Sequence, residues 1–297
     1  MLEKKQRIHF IVNPISGKGN NFLDKILLKE AFTKSQYEVF LKITSSPGHA
    51  SKLAQIAITE GADIIVACGG DGTINEIASC LVGHDILLGI IPLGSGNGLA
   101  SNLQIPLKID KAIEIIINGN VKNIDIGKVN GKYFFSNMGI GFDAALIAHY
   151  NRLKQRQLKG YLKALIKTMG TYSSTGKIKL VKNGKECNAD PFLLFVSNSN
   201  RMGYGFTLTP KANISDGLLD MVLVKKMSRL KLLLFGLLVA SRKIHALKEV
   251  NYQLIENLVV LGNGNLLQYQ IDGELVPVKE NQLEISLCKE KLKVLVP

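Results

Sequence analysis

The sequence predicts an α/β protein whose N-terminal part is a doubly wound parallel sheet and whose C-terminal part is rich in strands. Three observations lead to this prediction. Up to about residue 122, short apolar runs alternate with segments of helical periodicity, which is typical of β-α-β units. Glycine-rich turns directly follow two of the apolar runs, at Gly69 and Gly94. Beyond residue 122, shorter strand-like segments separated by turns take over.

The N-terminal elements follow from continuous apolar runs and from helical spacing. An apolar run bounded by polar or glycine residues indicates a strand that is buried on both faces. Apolar residues three to four positions apart, such as Leu53, Ile56 and Ala57, indicate a helix. We therefore expect strands at Ile8–Val12, Tyr37–Ile43, Asp63–Cys68 and Leu87–Ile91, and helices at Asn21–Thr33, Ala50–Glu60, Thr73–Val82 and Ile109–Asn118.

The C-terminal part combines strand-like segments with turn dipeptides and two helical stretches. The turns are Asn183-Gly184 and Asp216-Gly217, and the helices are expected around Ala144–Met169 and Ser228–His245. We expect strands at Lys132–Met138, Lys177–Val181, Phe192–Ser197 and Leu218–Val224. This gives two domains, residues 1–126 and residues 127–287. The pattern leaves open whether the final strands, about residues 288–297, return to the first domain.

The net charge limits the kinds of partner that the protein can have, and the cysteines indicate its compartment. The 297 residues carry a formal net charge of +13, which fits either an anionic partner or plain solubilising charge. Lysine and arginine are scattered, and no zinc-finger or RNA-binding signature occurs, so we expect no nucleic acid partner. The four cysteines are widely spaced and form no C-x-x-C pair, which indicates reduced thiols in a cytoplasmic protein.

The apolar and basic segments bear on membrane contact. Residues 1–7 lack the pattern of a signal peptide, and the apolar run Leu232–Ala240 is too short to span a bilayer. Two basic stretches with interleaved apolar residues, Arg152–Leu165 and Lys225–Lys243, fit either core helices with a charged face or helices on an anionic membrane. We expect a cytoplasmic protein in peripheral contact with the membrane, and a homodimer stays open.

The strongest motif is the turn Gly69-Gly70-Asp71-Gly72-Thr73, which follows a buried run and begins a helix. Glycines let the backbone approach a phosphate, and a helix N-terminus presents N–H groups and a positive dipole to the anion. Asp71 is placed to orient Mg²⁺ or the phosphates, and Thr73 to cap the helix or to donate to a phosphate. The competing interpretation is a tight turn that binds no ligand.

Two further glycine-containing loops follow buried runs. In Pro92–Gly98, Ser95 and Asn97 can donate to phosphate or ribose, and in Asn13–Gly19 the side chain of Lys18 can neutralise a phosphate. The Walker A spacing is absent, as are the H-R-D and D-F-G motifs of protein kinases. In a doubly wound sheet, three such loops face one crevice at the carboxyl ends of the strands. Their convergence favours a nucleotide site.

These motifs resemble those of the diacylglycerol kinase catalytic domain family, which includes bacterial diacylglycerol kinases, sphingosine kinases and ceramide kinases. The matching segments are Asn13–Gly17, Gly69–Glu76 and Pro92–Asn97, and the resemblance covers nearly the whole chain. It implies an N-terminal nucleotide-binding domain and a C-terminal β-sandwich domain that receives a lipid substrate. It also implies transfer of the γ-phosphate of ATP to a lipid hydroxyl, such as that of diacylglycerol or a sphingoid base.

The resemblance assigns catalytic and metal-binding roles to particular residues. Segment Gln270–Glu274 is similar to the family's C-terminal motif, which makes Glu274 the general base, with Asp272 supporting it and Asp71 acting at the nucleotide. Segment Asn213–Leu218 is similar to the structural Mg²⁺ site of bacterial members, with the ligands Asn213, Asp216 and Leu218. Asp125 matches a family position near the nucleotide.

The nucleotide contacts implied by the motifs and the resemblance form a longer set. ATP is expected to contact Asn13, Pro14, Ile15, Ser16, Gly17, Lys18, Thr44, Gly69, Gly70, Asp71, Gly72, Thr73, Ile74, Asn75, Ser95 and Asn97. His49, which begins a predicted helix, is a further candidate for capping that helix or contacting the ligand.

One departure from the family pattern keeps two other functions open. Bacterial diacylglycerol kinases tend to carry an acid where this chain has Gly98, and the Gly94–Asn97 segment is more similar to sphingosine and ceramide kinases. An NAD kinase shares the Gly-Gly-Asp-Gly-Thr turn, but its later Thr-Pro-Thr-Gly-Ser motif has no match. Loss of the acid at position 98 also leaves a catalytically inactive sensor of lipid or nucleotide as an alternative.

Overall fold

The computed structural model describes residues 5–17, 31–32, 37–153, 157–172, 174–202, 206–264, 266–277 and 279–297. The helix expected over Asn21–Thr33 lies outside these ranges apart from residues 31–32. The chain forms two compact units. The first unit contains residues 1–124 and 290–297, and the second unit contains residues 125–289. These limits differ by two residues from the expected ranges of 1–126 and 127–287.

The first unit contains a six-stranded sheet in the order β2-β1-β3-β4-β18-β5. Its strands are β1 (Gln6–Val12), β2 (Tyr37–Ile43), β3 (Ile64–Gly69), β4 (Leu87–Pro92), β5 (Asn120–Ile124) and the last strand of the chain, β18 (Leu292–Val296). Neighbouring strands from β2 to β18 pair in parallel, and β5 pairs antiparallel with β18. The chain leaves β1 for β2 on one side and then returns past β1 to β3, so the predicted doubly wound sheet is confirmed.

Within the described ranges, the helices of this unit with defined bounds are α1 (His49–Thr59), α2 (Asp71–Leu81), α3 (Gly98–Asn102) and α4 (Ile109–Asn118). The bounds of α4 agree with its prediction, and its buried residues Ala112, Ile113 and Ile116 have helical spacing. All six residues of β3 are buried, as expected for an inner parallel strand covered on both faces. The short helix α3 had no sequence prediction because it offers only five residues to any periodicity.

The second unit is a sandwich of two six-stranded sheets, and the predicted β-sandwich is confirmed. One sheet has the order β10-β9-β14-β17-β6-β7, and the other has the order β13-β12-β11-β8-β15-β16. An apolar core between them takes buried residues from both sheets, including Phe134, Val196, Leu258 and Tyr269. The strands of the first sheet are β6 (Gly127–Val129), β7 (Lys132–Phe134), β9 (Ile178–Lys182), β10 (Lys185–Ala189), β14 (Asn257–Leu261) and β17 (Gln282–Leu287), and those of the second are β8 (Asn137–Gly141), β11 (Pro191–Ser197), β12 (Leu219–Lys225), β13 (Val250–Ile255), β15 (Tyr269–Ile271) and β16 (Glu274–Leu275).

Two expected elements of the second unit are divided in the structure. The single strand expected at Lys132–Met138 is wrong, because β7 ends at Phe134 and β8 begins at Asn137. The backbone N–H groups of Phe135, Ser136 and Asn137 donate to the Asp272 carboxylate, which takes these residues out of a single ladder.

The Asn183-Gly184 turn is as predicted: both residues have positive φ and connect β9 to β10 as a two-residue hairpin.

The helices of the second unit are α5 (Phe142–Asn151), α6 (Gln157–Thr171) and α7 (Arg229–Ala240), followed by a 3₁₀ turn at Ile244–Ala246. The single helix expected around Ala144–Met169 is therefore two helices. The helix expected over Ser228–His245 ends early, and Arg242 adopts a positive φ just beyond its end. Within the described ranges, no helix has both the length and the apolar character needed to cross a bilayer.

Candidate active site

At the carboxyl edge of the first unit's sheet, the loops that follow four neighbouring strands begin next to one another. The N–H of Thr44 donates to the Val12 carbonyl at 2.9 Å, the N–H of Asn13 donates to the Cys68 carbonyl at 2.9 Å, and the N–H of Leu93 donates to the Gly69 carbonyl at 2.9 Å. Each bond extends the strand pairing by one step beyond the strand ends. The loops after β2, β1, β3 and β4 therefore begin side by side, where the chain reverses its direction through the sheet.

The turn after β3 begins α2 directly. Gly70 is the N-cap residue in an extended conformation, and the N–H of Ile74 makes the first helical bond, to the Gly70 carbonyl at 3.0 Å. The leading N–H groups of the helix precede that bond and lie outside its internal ladder. They carry the positive end of the helix dipole, which suits an anion such as a phosphate.

Thr73 lacks one of its two predicted roles, the capping of the helix. The predicted capping by Thr73 is wrong, since Gly70 is the N-cap residue and no side chain caps the helix. Instead, Asn13 Nδ2 donates to Thr73 Oγ1 at 3.0 Å, while the N–H of Ile15 donates to Asn13 Oδ1 at 3.2 Å. The Asn13 side chain thus joins the loop after β1 to the first turn of α2.

The loops after β3 and β4 pack backbone against backbone. A Cβ added at Gly94 would lie 2.5 Å from Gly70 Cα and 2.7 Å from Asn97 Oδ1, so no larger residue fits there without a shift of the backbone. Asp71 Oδ1 accepts the N–H of Gly98 at 2.7 Å, which fixes the start of α3 to the start of α2. Gly98 contributes only its backbone N–H to this contact, so the contact does not depend on the side chain at position 98.

Asn97 is held in a strained, buried conformation at the end of this loop. It has a φ of 50° and occupies the N-cap position of α3, but its Nδ2 turns back and donates to the Gly94 carbonyl at 2.8 Å. Its Oδ1 is buried and has no hydrogen-bond partner among the described residues. A buried acceptor left unpaired is costly, which is typical of a functional loop that a ligand completes.

Glu76 organises a neighbouring loop, and the sequence reasoning missed this role. Its carboxylate accepts the N–H groups of Gly48 at 3.0 Å and Ala50 at 3.1 Å, so it satisfies the N-terminus of α1 from the middle of α2. His49 is the first residue of α1 rather than its cap, and its Nδ1 accepts the N–H of Ser45 at 3.0 Å. These contacts order the segment that follows Thr44.

The remaining residues that are predicted to contact the nucleotide differ in their exposure to solvent. Ile74 is buried in the core, so only its backbone is available to a ligand. Ile15 is 81% exposed, and Pro14, Gly17 and Ser95 are exposed as well. Lys18 lies outside the described residues. The structure thus gathers most of the predicted set at one edge of the sheet, while their contacts with ATP remain a prediction.

In the second unit, the turn from β15 to β16 presents Glu274 as an exposed residue at the start of β16. Asp272 and Gly273 form this turn with φ values of 47° and 84°. Asp272 Oδ1 accepts the N–H groups of Ser136 at 2.8 Å and Asn137 at 2.9 Å, and Oδ2 accepts that of Phe135 at 3.0 Å. These contacts make Asp272 a positioning residue for the turn that carries Glu274.

A buried polar chain supports the same turn and was not found by sequence reasoning. Gln270 Oε1 accepts the N–H of Gly273 at 2.8 Å, while its Nε2 donates to Asn137 Oδ1 at 2.9 Å and to Asp143 Oδ2 at 2.6 Å. Burial raises the pKa of the Asp143 carboxyl to about 6, against a smaller lowering by Gln270. The available signal was the acid in the apolar Gly139–Ala144 run, where an unpaired charge is not tolerated.

The segment expected to bind Mg²⁺ forms an ordered turn rich in oxygen atoms. The N–H of Ser215 donates to Asn213 Oδ1 at 3.2 Å, and that of Leu218 donates to Asp216 Oδ1 at 3.1 Å. Asp125 Oδ2 accepts the N–H of Gly217 at 2.7 Å, so the structure places Asp125 against this turn. Within the described ranges no three His, Cys, Asp or Glu side chains form a metal-binding group. Any ion here therefore requires carbonyl and amide oxygens beside the Asp216 carboxylate, a donor set that fits Mg²⁺.

The buried acid Asp220 adds negative charge beside this turn. Its pKa is raised to about 6, chiefly by burial; the hydrogen bond from the Tyr252 hydroxyl opposes this rise, and the nearby charge of Asp216 adds to it. Two mutually repelling carboxyls favour a cation at the exposed Asp216. The residues present therefore fit the expected ion, which stays a prediction.

A doubly wound sheet with interlocked glycine loops at its carboxyl edge, followed along the chain by a β-sandwich, is the architecture expected for the kinase family that the motifs resemble. Residues 7–129 match the family model of the diacylglycerol kinase catalytic domain, and residues 136–296 match that of the YegS C-terminal NAD kinase beta sandwich-like domain. The chain belongs to the diacylglycerol kinase family, as the sequence motifs predicted. It is therefore a kinase of a lipid kinase family.

Individual relatives support the same assignment. A diacylglycerol kinase of Bacillus subtilis (strain 168) is 31% identical over 276 residues, covering 91% of this chain and 90% of the relative. A crystal structure of a diacylglycerol kinase from Bacillus anthracis str. Sterne has a TM-score of 0.77 at 24% identity, covering 99% of this chain and 98% of that one. An NAD kinase from Archaeoglobus fulgidus, in complex with ATP, has a TM-score of 0.52 at 14% identity, covering 98% and 93%. Both structures share the fold of this chain.

The close approach of Gly94 to Gly70 gives a test of the nucleotide loops. Gly94→Ala places a methyl group against backbone and so separates the two loops. We expect the Kd for ATP to rise at least about 10-fold, which corresponds to about 1.4 kcal/mol. Gly170→Ala, at a helix position where an added Cβ meets nothing within 4 Å, is the matched control. Titration calorimetry measures both, and an unchanged Kd in Gly94→Ala would separate these loops from nucleotide binding.

Burial of Asp143 predicts a pH dependence of stability. Its pKa is raised in the folded state, so its favourable contribution is complete below the ordinary value and is lost as the pH rises through about 6. Asp143→Asn removes this loss and keeps an acceptor for Gln270. Relative to the parent, we expect the variant to gain on the order of 2 kcal/mol of unfolding free energy between pH 4 and pH 7. Urea denaturation at both pH values measures this, and parallel pH profiles would contradict it.

Proposed function

We propose that the protein is an ATP- and Mg²⁺-dependent lipid kinase that phosphorylates the hydroxyl of diacylglycerol. The observation that carries this proposal is the interlocking of the three glycine loops at the carboxyl edge of the sheet, in a chain of the diacylglycerol kinase family. The contacts of Asn13, Asp71 and Gly94 hold the loops as one preorganised surface. Preorganised donors stabilise the charge of a transferring phosphoryl group without reorganisation during the reaction.

The nucleotide is proposed to bind with its phosphates on the start of α2. Backbone N–H groups of the Gly70–Thr73 turn would donate to phosphate oxygens, as glycine loops at helix N-termini do. The buried Oδ1 of Asn97 would gain a donor from the nucleotide or its bound water. Mg²⁺, when bound, would neutralise charge on the phosphate oxygens. The Asn213–Leu218 turn would hold a further, structural ion.

Glu274 is proposed to act as the general base. Its carboxylate would take the proton of the lipid hydroxyl as the oxygen attacks the γ-phosphorus. The bond from this phosphorus to the bridging oxygen then breaks, and ADP leaves with the electron pair. Asp272 and Gln270 would contribute indirectly, because their hydrogen bonds fix the turn that presents Glu274.

The relatives favour diacylglycerol over the other acceptors. Diacylglycerol kinases of Bacillus subtilis and Staphylococcus aureus are 31% and 30% identical to this chain over 91% of its length. The glycine at position 98, which left the acceptor open, contacts Asp71 through its backbone N–H, and this contact does not depend on the side chain at that position. Similarity to NAD kinases at 14% identity concerns the fold alone, so NAD is a control acceptor rather than a second proposal.

Phosphate transfer to a panel of acceptors tests the proposal. The protein is incubated with γ-labelled ATP, Mg²⁺ and mixed micelles that contain diacylglycerol, monoacylglycerol, sphingosine or ceramide, with NAD in a parallel reaction. We expect label in phosphatidic acid from diacylglycerol, and none without Mg²⁺. Label in another lipid would replace the acceptor, label in NAD would contradict the lipid proposal, and ATP binding without transfer to any acceptor would favour the inactive sensor.

Substitution of the proposed base separates chemistry from binding. Glu274→Gln keeps the size of the side chain but cannot accept the proton. We expect kcat to fall at least about 100-fold, the lower end for loss of a general base, while the Kd for ATP is unchanged. Glu256→Gln, an exposed glutamate on the same unit, is the control and should retain full activity. Near-normal turnover in Glu274→Gln would remove Glu274 from the mechanism.

A further inference from the structure

Helix α7 of the second unit is apolar on two opposite sides. One side packs onto the outer face of the sheet through Leu232, Phe235 and Val239, which join an apolar cluster with Phe192 and Phe195. The other side consists of Leu230, Leu233, Leu234 and Leu237, whose exposures are 78%, 60%, 45% and 68%. We call these four residues the leucine face.

The leucine face is contiguous and points away from the sheet. With about 100° of rotation per residue, positions 230, 233, 234 and 237 share one side of a helix and lie opposite 232, 235 and 239. A helix that is apolar all round is normally covered on every side, by protein or by lipid. The part of the chain that the structure describes leaves these four leucines uncovered.

The charge around α7 is strongly biased toward one sign. Between residues 225 and 249 there are seven lysine and arginine residues and one glutamate, Glu249, which pairs with Lys231. Exposed basic residues precede the helix at Lys225 and Lys226 and follow it at Arg242 and Lys243. Leucines along one side of a helix with cations at both ends have the pattern of a helix that lies in an anionic lipid interface.

Helix α6 repeats the pattern on the same side of the sheet. From residue 158 to residue 167, its exposed residues alternate as leucine or isoleucine with lysine: Leu158, Lys159, Leu162, Lys163, Ile166 and Lys167. The N–H of Tyr172 extends α6 by one bond to the Thr168 carbonyl, and the Tyr172 ring packs in the same apolar cluster as Phe235 of α7. Helix α6 is thus a second helix of this unit that exposes both apolar and basic residues.

We propose that α7 forms a membrane-docking face, with its four exposed leucines inserted into the outermost layer of an anionic bilayer. The choice of lipid as occupant rests on the proposed function, because a diacylglycerol acceptor resides in a membrane. It also rests on the charge, since a second copy of this face would bring like-charged basic clusters together. The basic residues contact lipid headgroups, and the leucines enter the acyl boundary.

Cosedimentation with vesicles tests the face without any catalysis. The probe is a phosphatidylglycerol–phosphatidylcholine vesicle, with pure phosphatidylcholine vesicles for comparison and no ATP present. The test variant is Leu233→Ser with Leu237→Ser. The control is Leu107→Ser with Leu266→Ser, whose exposures of 69% and 63% match the 60% and 68% of the test pair. All four leucines are exposed, so both double variants are expected to fold.

We expect the parent and the control to bind anionic vesicles and the test variant to bind at least about 10-fold more weakly. Unchanged binding by the test variant, or no binding by the parent, would overturn the proposal. So would a parent dimer that becomes a monomer in the test variant by sedimentation, because the occupant would then be a second copy.

Activity assays then separate this proposal from the proposed function. On water-dispersed dioctanoylglycerol the test variant should match the parent, and on vesicle-embedded diacylglycerol it should be slower by the factor lost in binding. Vesicle binding that depends on α7, without phosphorylation of any lipid, would support the docking face and contradict the kinase. Equal activity of parent and test variant on embedded diacylglycerol would contradict the docking face alone.

Discussion

The hydrogen bond from the Gly98 N–H to the Asp71 carboxylate is the constraint on which the candidate nucleotide site depends. It fixes the first residue of α3 to the first residue of α2, and the contact between Gly94 and Gly70 leaves no room for a side chain between the two loops. Asn13 adds the third loop through Thr73. These loops follow neighbouring parallel strands, so the pairing of the strands sets the distance from one loop to the next.

The second unit follows a similar rule, with a carboxylate that orders backbone amides. Asp272 engages three consecutive N–H groups at residues 135–137 and interrupts what would otherwise be one strand. Gln270 then fixes Gly273 and is itself held by the buried Asp143. The proposed base, Glu274, thus sits on a turn that is held in place by hydrogen bonds of Asp272 and Gln270.

Local patterns were sufficient for strands β1 to β4 and for the loops that follow them, but not for β5 or for the return of β18 to this sheet. The continuous apolar run at β3 and the glycine turn after it are contiguous in sequence, so strand, loop and helix start were predictable together. The roles of Glu76 and Asp143 were not predictable, since their partners are 26 to 28 and 127 positions away. The division of the expected 144–169 helix and the exposure of the leucine face on α7 likewise depend on tertiary packing, which periodicity alone does not encode.

Hydrogen–deuterium exchange with and without ATP and Mg²⁺ tests the central claim, that the joined loops at the carboxyl edge hold the nucleotide. We expect slower exchange in peptides that cover residues 69–75 and 94–98, because their backbone N–H groups gain partners or are fixed by the bound phosphates. Peptides of the outer strand β10 should be unchanged. Protection elsewhere in the chain, with no change in these two segments at saturating ATP, would contradict the account.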